Sequence, residues 1–289
     1  MRDVELEYKV LGKGETTLVI ELGIGGSFYN WRNFNQQIEE DFTVVIYHRS
    51  GYGKSARSDN PRTVEHIAQE LDVLIEKLHI NDKFMLMGHS FGGLCAQQYS
   101  KMYPHKLKGV LLIDSTSHNF QELYNLELPV MYSKISLVQM IENNKATAKK
   151  SKEELKHIFK DMIDEYKRVL PENETKEFTS FISRPSFFQT IAEEFHNWKR
   201  SGEIIKESGD FPDIPLTVIA RDKELAAKPY IDHGIPEEEA VLHEKVWRKL
   251  QEELAALSCE GKFIIAHHSD HEIHKDRPDL IIQCLERFR

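Results

Sequence analysis

Cysteine is scarce. The 289 residues include three, Cys95, Cys259 and Cys284, far apart and odd in number. A disulfide framework needs an even set, and a redox or zinc site needs closely spaced pairs, so the sequence excludes both and a reducing cytoplasm is the expected setting. Long hydrophobic runs are missing as well: none approaches the roughly 20 residues of a membrane-spanning helix. The opening MRDVELEYKV alternates charge with apolar residues and lacks the basic start and apolar core of a secretory signal. No membrane partner is expected. Positive charge is in short supply, with 38 basic against 47 acidic residues and a formal net charge of -9. Tracking phosphates takes clustered Lys and Arg, so nucleic acid is not an expected partner. The densest basic run, NNKATAKKSKEELK from Asn143, is interleaved with acids and reads as a solvated helix face.

Apolar material, by contrast, is ample for a large core, at 40% of the chain. VELEYKV from Val4 to Val10 and TTLVIELG after a GKG turn read as an antiparallel pair entering a sheet. Helical spacing follows from Trp31 to Glu40, then the β-branched run FTVVIY. Between Thr63 and Leu78, Val64, Ile67, Leu71, Leu74, Ile75 and Leu78 recur at steps of three and four, the period of a helix with one buried face. KFMLM, a helix from about Phe91 to Met102 and LKGVLLID continue the alternation, which implies a mostly parallel central sheet flanked by helices. From Ser115 to Gly209 the pattern is helical only; strands resume with PLTVIARD and KFIIAHH, separated by the helix PEEEAVLHEKVWRKLQEELAAL.

The junction between KFMLM and its following helix is GHSFGG. Glycine inside regular structure costs about 0.5 to 1 kcal/mol relative to alanine, so Gly88, Gly92 and Gly93 need another reason. G-x-S-x-G between a strand and a helix supplies it. A sharp turn strains the serine backbone, excludes side chains two residues either way, and lifts the Ser90 hydroxyl above the carboxyl edge of the sheet at a helix N-terminus. A neutral hydroxyl is a poor nucleophile and requires a base with a carboxylate to orient it. Asp222 ends PLTVIARD, Asp114 ends LLID, and His267, His268, His271 and His274 follow the last strand. The chain order Ser, Asp, His suits this architecture, and H-E-I-H lacks the H-E-x-x-H spacing of a helical zinc site.

ELGIGG ahead of Trp31, YHRSGYGKS, the GHSFGG elbow, ARD after the helical block and SDHEIHKDRPDLI together resemble the α/β-hydrolase superfamily, and specifically its cap-bearing members with a Ser-His-Asp triad, over nearly the whole chain. The resemblance implies an α/β-hydrolase fold, with a core of residues 1–114 and 210–289 and a helical cap of residues 115–209. It implies Ser90 as nucleophile, His271 as base, since the family histidine precedes a helix-opening proline as His271 precedes Pro278, and Asp222 as acid, with Asp114 the competing position. The oxyanion hole is expected from the backbone N–H groups of Ile24 and Phe91, although Leu22-Gly23 stands where the family has His-Gly. Phe187, Phe188 and Trp198 in the cap are expected substrate contacts, and neither metal nor cofactor is expected. The implied activity is hydrolysis of a small or medium carboxylic ester or related acyl substrate. The rival is a receptor that keeps fold and triad to sense a small molecule.

Overall fold

The computed structural model describes residues 5–289. Seven strands, β1 (Tyr8–Leu11), β2 (Thr16–Glu21), β3 (Phe42–Tyr47), β4 (Phe84–His89), β5 (Leu107–Ile113), β6 (Leu216–Arg221) and β7 (Gly261–Ala266), form one sheet in the order β1-β3-β2-β4-β5-β6-β7. Every pairing is parallel except that of β1 with β3. The expected β1–β2 pair is therefore not formed. Burial explains this: all but one residue of TTLVIE are buried, as suits an interior strand, whereas YKVL alternates exposed and half-buried positions, as suits an edge. The expected start of β1 at Val4 lies outside the described residues.

Because side chains alternate across a strand, each run feeds two cores. Ile20, Val44, Met85, Met87, Leu111 and Ile219 face Phe34 and Ile38 of the helix Arg32–Ile38 and Ile281 and Leu285 of the helix Pro278–Glu286. Val19, Val45, Leu86, Val110, Leu112 and Val218 face the helices Val64–Lys77, Phe91–Met102 and Glu237–Ala255. Leu86 is wholly buried, and its truncation to alanine would cost about 2–5 kcal/mol. Between β5 and β6 lie seven helices and no strand, from Gln121 to Glu207. The longest, Pro185–Glu207, opens on a proline, whose missing N–H costs nothing at that position. Among the described residues no helix is long and apolar enough to cross a membrane.

Candidate active site

Strand β4 ends at His89 and the next helix begins at Phe91, which leaves Ser90 alone to make the turn, with φ 56° and ψ -125°. Such a conformation costs a non-glycine residue about 1–3 kcal/mol and persists only when its surroundings over-determine it. They do here. The Ser90 N–H donates to the Ile113 carbonyl at 3.2 Å, and the Ser90 carbonyl accepts from Gly93 and Thr116, both at 2.9 Å. A Cβ on Gly88 would stand 2.6 Å from the Gly92 carbonyl oxygen, and one on Gly92 would collide with the Glu21 backbone. Both glycines are there for close approach.

His271 lies in the segment between β7 and the helix Ile273–Asp276, and its Nδ1–H donates to Oδ2 of Asp114 at 2.5 Å. A carboxylate only accepts, so this contact assigns the proton to Nδ1 and leaves Nε2 as the basic nitrogen. Asp114 directly follows β5, is fully buried and has φ 38°. The acid expected from the sequence, Asp222, does something else. Its Oδ1 accepts from the Glu224 and Leu225 N–H groups as N-cap of the helix Lys223–Asp232, and its Oδ2 accepts from His268 N–H at 3.1 Å. With its oxygens committed to backbone donors, Asp222 orients the loop and not the imidazole.

Burial would raise the Asp114 carboxyl, yet the Arg221 charge, the His271 contact and the Trp247 indole outweigh it and hold the group below the ordinary carboxylate range. The Arg221 guanidinium is 2.9 Å from Oδ2, and Trp247 Nε1–H donates to Oδ1 at 2.8 Å. Glu244 grips the other edge of the guanidinium through both oxygens, at 2.9 and 2.7 Å. The arginine is thus neutralised on both sides and offers no free charge to a ligand.

The loop carrying Ile24 lies against the nucleophile: a Cβ on Gly23 would be 3.2 Å from the Ser90 Cβ. Phe91 is the first residue of its helix, where backbone N–H groups have no intrahelical acceptor. Ser90, Ile24 and Phe91 are therefore brought together. What sequence reasoning missed is the support of that loop by Arg49, from YHRSGYGKS, which donates to the Leu22 carbonyl and, at 3.0 Å, to the Gly23 carbonyl. An arginine two residues past an apolar strand was the available signal.

Ser90 and His271 open on one cavity of about 440 Å³. Its walls are largely apolar and aromatic, with Phe120, Tyr124, Met131, Tyr132 and Trp198 from the helical insertion and Tyr230 and Trp247 from beyond β6. Trp198 stacks on Phe120 at 5.1 Å between centroids. Phe187 and Phe188 are not part of these walls. Phe187 packs edge-on against Phe181 and, where the insertion meets the core, against Tyr52, while Phe188 stacks on Phe159, so both are packing residues. Behind the site, His274 stacks on Trp31 at 3.8 Å, and His89 Nε2–H donates to the His271 carbonyl at 3.0 Å. Burial first, and the neighbouring His271 second, push His89 down to about 4. Among the described residues no group of three or more His, Cys, Asp or Glu is arranged to hold a metal ion.

Residues 16–141 match the family model for the alpha/beta hydrolase fold. The Bacillus subtilis (strain 168) protein YqjL is 22% identical over 270 residues, covering 93% of this chain and 82% of that one. A proline iminopeptidase of Saccharolobus solfataricus is 30% identical over 138 residues, 44% of either chain. Among solved structures, the enol-lactonase from Burkholderia xenovorans LB400 superposes with a TM-score of 0.67 at 16% identity, covering 99% of this chain and 97% of that chain. A thermophilic esterase from Thermogutta terrifontis gives 0.61 at 19% identity, covering 99% and 93%.

Proposed function

The chain belongs to the α/β-hydrolase superfamily, and from that premise we propose that it is a serine hydrolase whose triad is Ser90, His271 and Asp114. The carrying observation is the 2.5 Å contact between His271 and the buried Asp114, on a cavity that also receives the strained Ser90. Ser90 Oγ attacks the acyl carbonyl as its proton passes to Nε2 of His271. The oxygen that gains the charge is received by the N–H groups of Ile24 and Phe91. Collapse of the tetrahedral adduct breaks the bond to the leaving group, which takes the proton from His271. Water then repeats the sequence on the acyl-enzyme, releasing the acid and restoring Ser90. Asp114 stays ionised throughout and holds the imidazole.

The helical insertion is the cap of this site, and it supplies much of the wall. With Arg221 neutralised and the lining mostly aromatic, no free cation on the wall recruits an anion and Asp270 repels one, so the substrate is a small or medium carboxylic ester without negative charge, its acyl group packed on Trp198 and Phe120. The esterase and the enol-lactonase that share the fold support acyl chemistry on it. The test is fluorophosphonate labelling beside turnover of p-nitrophenyl esters. The parent protein labels at Ser90 and turns esters over repeatedly, and Ser90→Ala, still folded, does neither, with kcat down by roughly 10⁶-fold. Labelling that persists in Ser90→Ala removes the assignment, and a parent that stops after one slow turnover favours a receptor.

A further inference from the structure

A buried cluster beneath the active site has no part in the steps above. Arg49 follows β3 and is 2% exposed, Glu21 ends β2 and is 1% exposed, and Glu194 on the helix Pro185–Glu207 is 0% exposed. Arg49 has five N–H donors, and each has an acceptor. Nε and one Nη2 hydrogen take the two oxygens of Glu194, at 2.8 and 2.9 Å. The Nη1 hydrogens reach Glu21 Oε1 at 2.8 Å and the Leu22 carbonyl, and the remaining Nη2 hydrogen reaches the Gly23 carbonyl at 3.0 Å. Tyr52 adds a second arm: its hydroxyl donates to Glu194 at 2.7 Å and accepts from the Gly25 N–H at 3.2 Å.

Ile24 is thus flanked by pinned residues, with Leu22 and Gly23 held by Arg49 and Gly25 by Tyr52. Both anchors are clamped by one carboxylate from the insertion, 145 and 142 residues away in the chain. We infer that Arg49, Tyr52 and Glu194 are positioning residues that aim the Ile24 amide, so that the seat of the insertion on the core sets the geometry of the oxyanion hole. The inference rests on the serine-hydrolase reading. A planar bidentate guanidinium suits the task, because a lysine ammonium cannot meet Glu194 and two adjacent carbonyls in one plane.

The experiment compares the parent with Arg49→Lys, Glu194→Gln and Tyr52→Phe. Each is assayed for thermal unfolding, for kcat and KM on p-nitrophenyl acetate, and for inhibition by phenylboronic acid, whose serine adduct mimics the tetrahedral species. Tyr52→Phe keeps the ion pairs and removes one hydroxyl, and with it the Gly25 acceptor and the donor to Glu194, so it reports on aim even where the charge variants fail to fold. The folded variants are expected to lose kcat and boronate affinity together, by roughly 10- to 100-fold, with KM moving less than about threefold. A folded Tyr52→Phe whose kcat and boronate affinity match the parent overturns the inference, as does a folded variant that loses affinity for ester and boronate alike. Failure of the underlying reading is separate, because the parent itself would then neither turn over the ester nor label at Ser90.

Discussion

Arg221 and His271 converge on a single oxygen of Asp114, the guanidinium at 2.9 Å and the imidazole Nδ1 at 2.5 Å both reaching Oδ2. The arginine keeps the buried carboxylate ionised, and the ionised carboxylate keeps the proton of the imidazole on Nδ1. With Trp247 on the other oxygen, Asp114 has a donor for each direction in which it can turn. It is a rigid acceptor for a ring that must not rotate.

Asp114→Asn is accordingly expected to lower kcat by about 10⁴-fold, because an amide in that place favours the wrong imidazole tautomer. Asp222→Asn is expected to lower it less than about tenfold and to cost about 1 kcal/mol of stability, since asparagine still caps the helix but its amide nitrogen cannot accept from the His268 N–H. Steady-state kinetics on the two purified, folded variants check the ranking, and the reverse order would return the acid to Asp222.

The aromatics of the insertion divide into two kinds, and substitution should separate them. Trp198→Ala is expected to change the ratio of kcat/KM between p-nitrophenyl acetate and octanoate by roughly tenfold, as lost apolar contact alters relative transition-state binding. Phe187→Ala and Phe188→Ala should keep the parent ratio while losing about 3–5 kcal/mol of stability each, because both leave holes in packed core. Chain-length profiles and urea midpoints read the two effects independently. A parent-like profile in Trp198→Ala would move the acyl site elsewhere on the cavity wall.

Acid should weaken the fold in a defined window. Burial holds His89 at about 4 and His274 at about 3, both below the 6.5 of an unperturbed histidine. The unfolded chain therefore binds these protons first, so the stability the two groups contribute is fully present above pH 6.5. It is lost as pH falls through that value, down to about 4 for His89 and about 3 for His274. The loss is roughly 3 kcal/mol for His89 and roughly 5 kcal/mol for His274. The nearest carboxylate to the His274 ring is Glu272, whose Oε2 is 3.5 Å from Nε2, and the ring makes no closer side-chain hydrogen bond, so His274→Phe should keep the stack on Trp31 and flatten the decline. Urea midpoints across pH 3–7 measure it, and an unchanged slope in His274→Phe would exclude His274 from the acid response.

What could be read along the chain was whatever local geometry writes into local sequence. The elbow was legible because Gly88 and Gly92 are required by contacts within a few residues or with the adjoining strand. His271 was legible from its place ahead of Pro278. Asp114 and Asp222 were not separable that way: each ends a parallel strand, each lies between Ser90 and His271 in the chain, and each can cap a turn. What separates them is side-chain contact, with Arg221, Trp247 and His271 gathered on the one and backbone N–H groups on the other. The same holds for the helix Pro185–Glu207. Its spacing reveals an apolar face, but not that Phe187 and Phe188 fill packed core while Trp198, nearly three turns on, lines the cavity.

The segment that bears His271 is gripped by both acids at once: Asp114 takes its imidazole, while Asp222 accepts from the His268 N–H at 3.1 Å and donates its own N–H to the Ser269 carbonyl at 2.9 Å. Chemistry and posture are thus assigned to carboxylates on neighbouring strands, within reach of the same few residues. A substitution at either strand end therefore reaches the same short loop, one through the ring it holds and the other through the backbone that carries that ring.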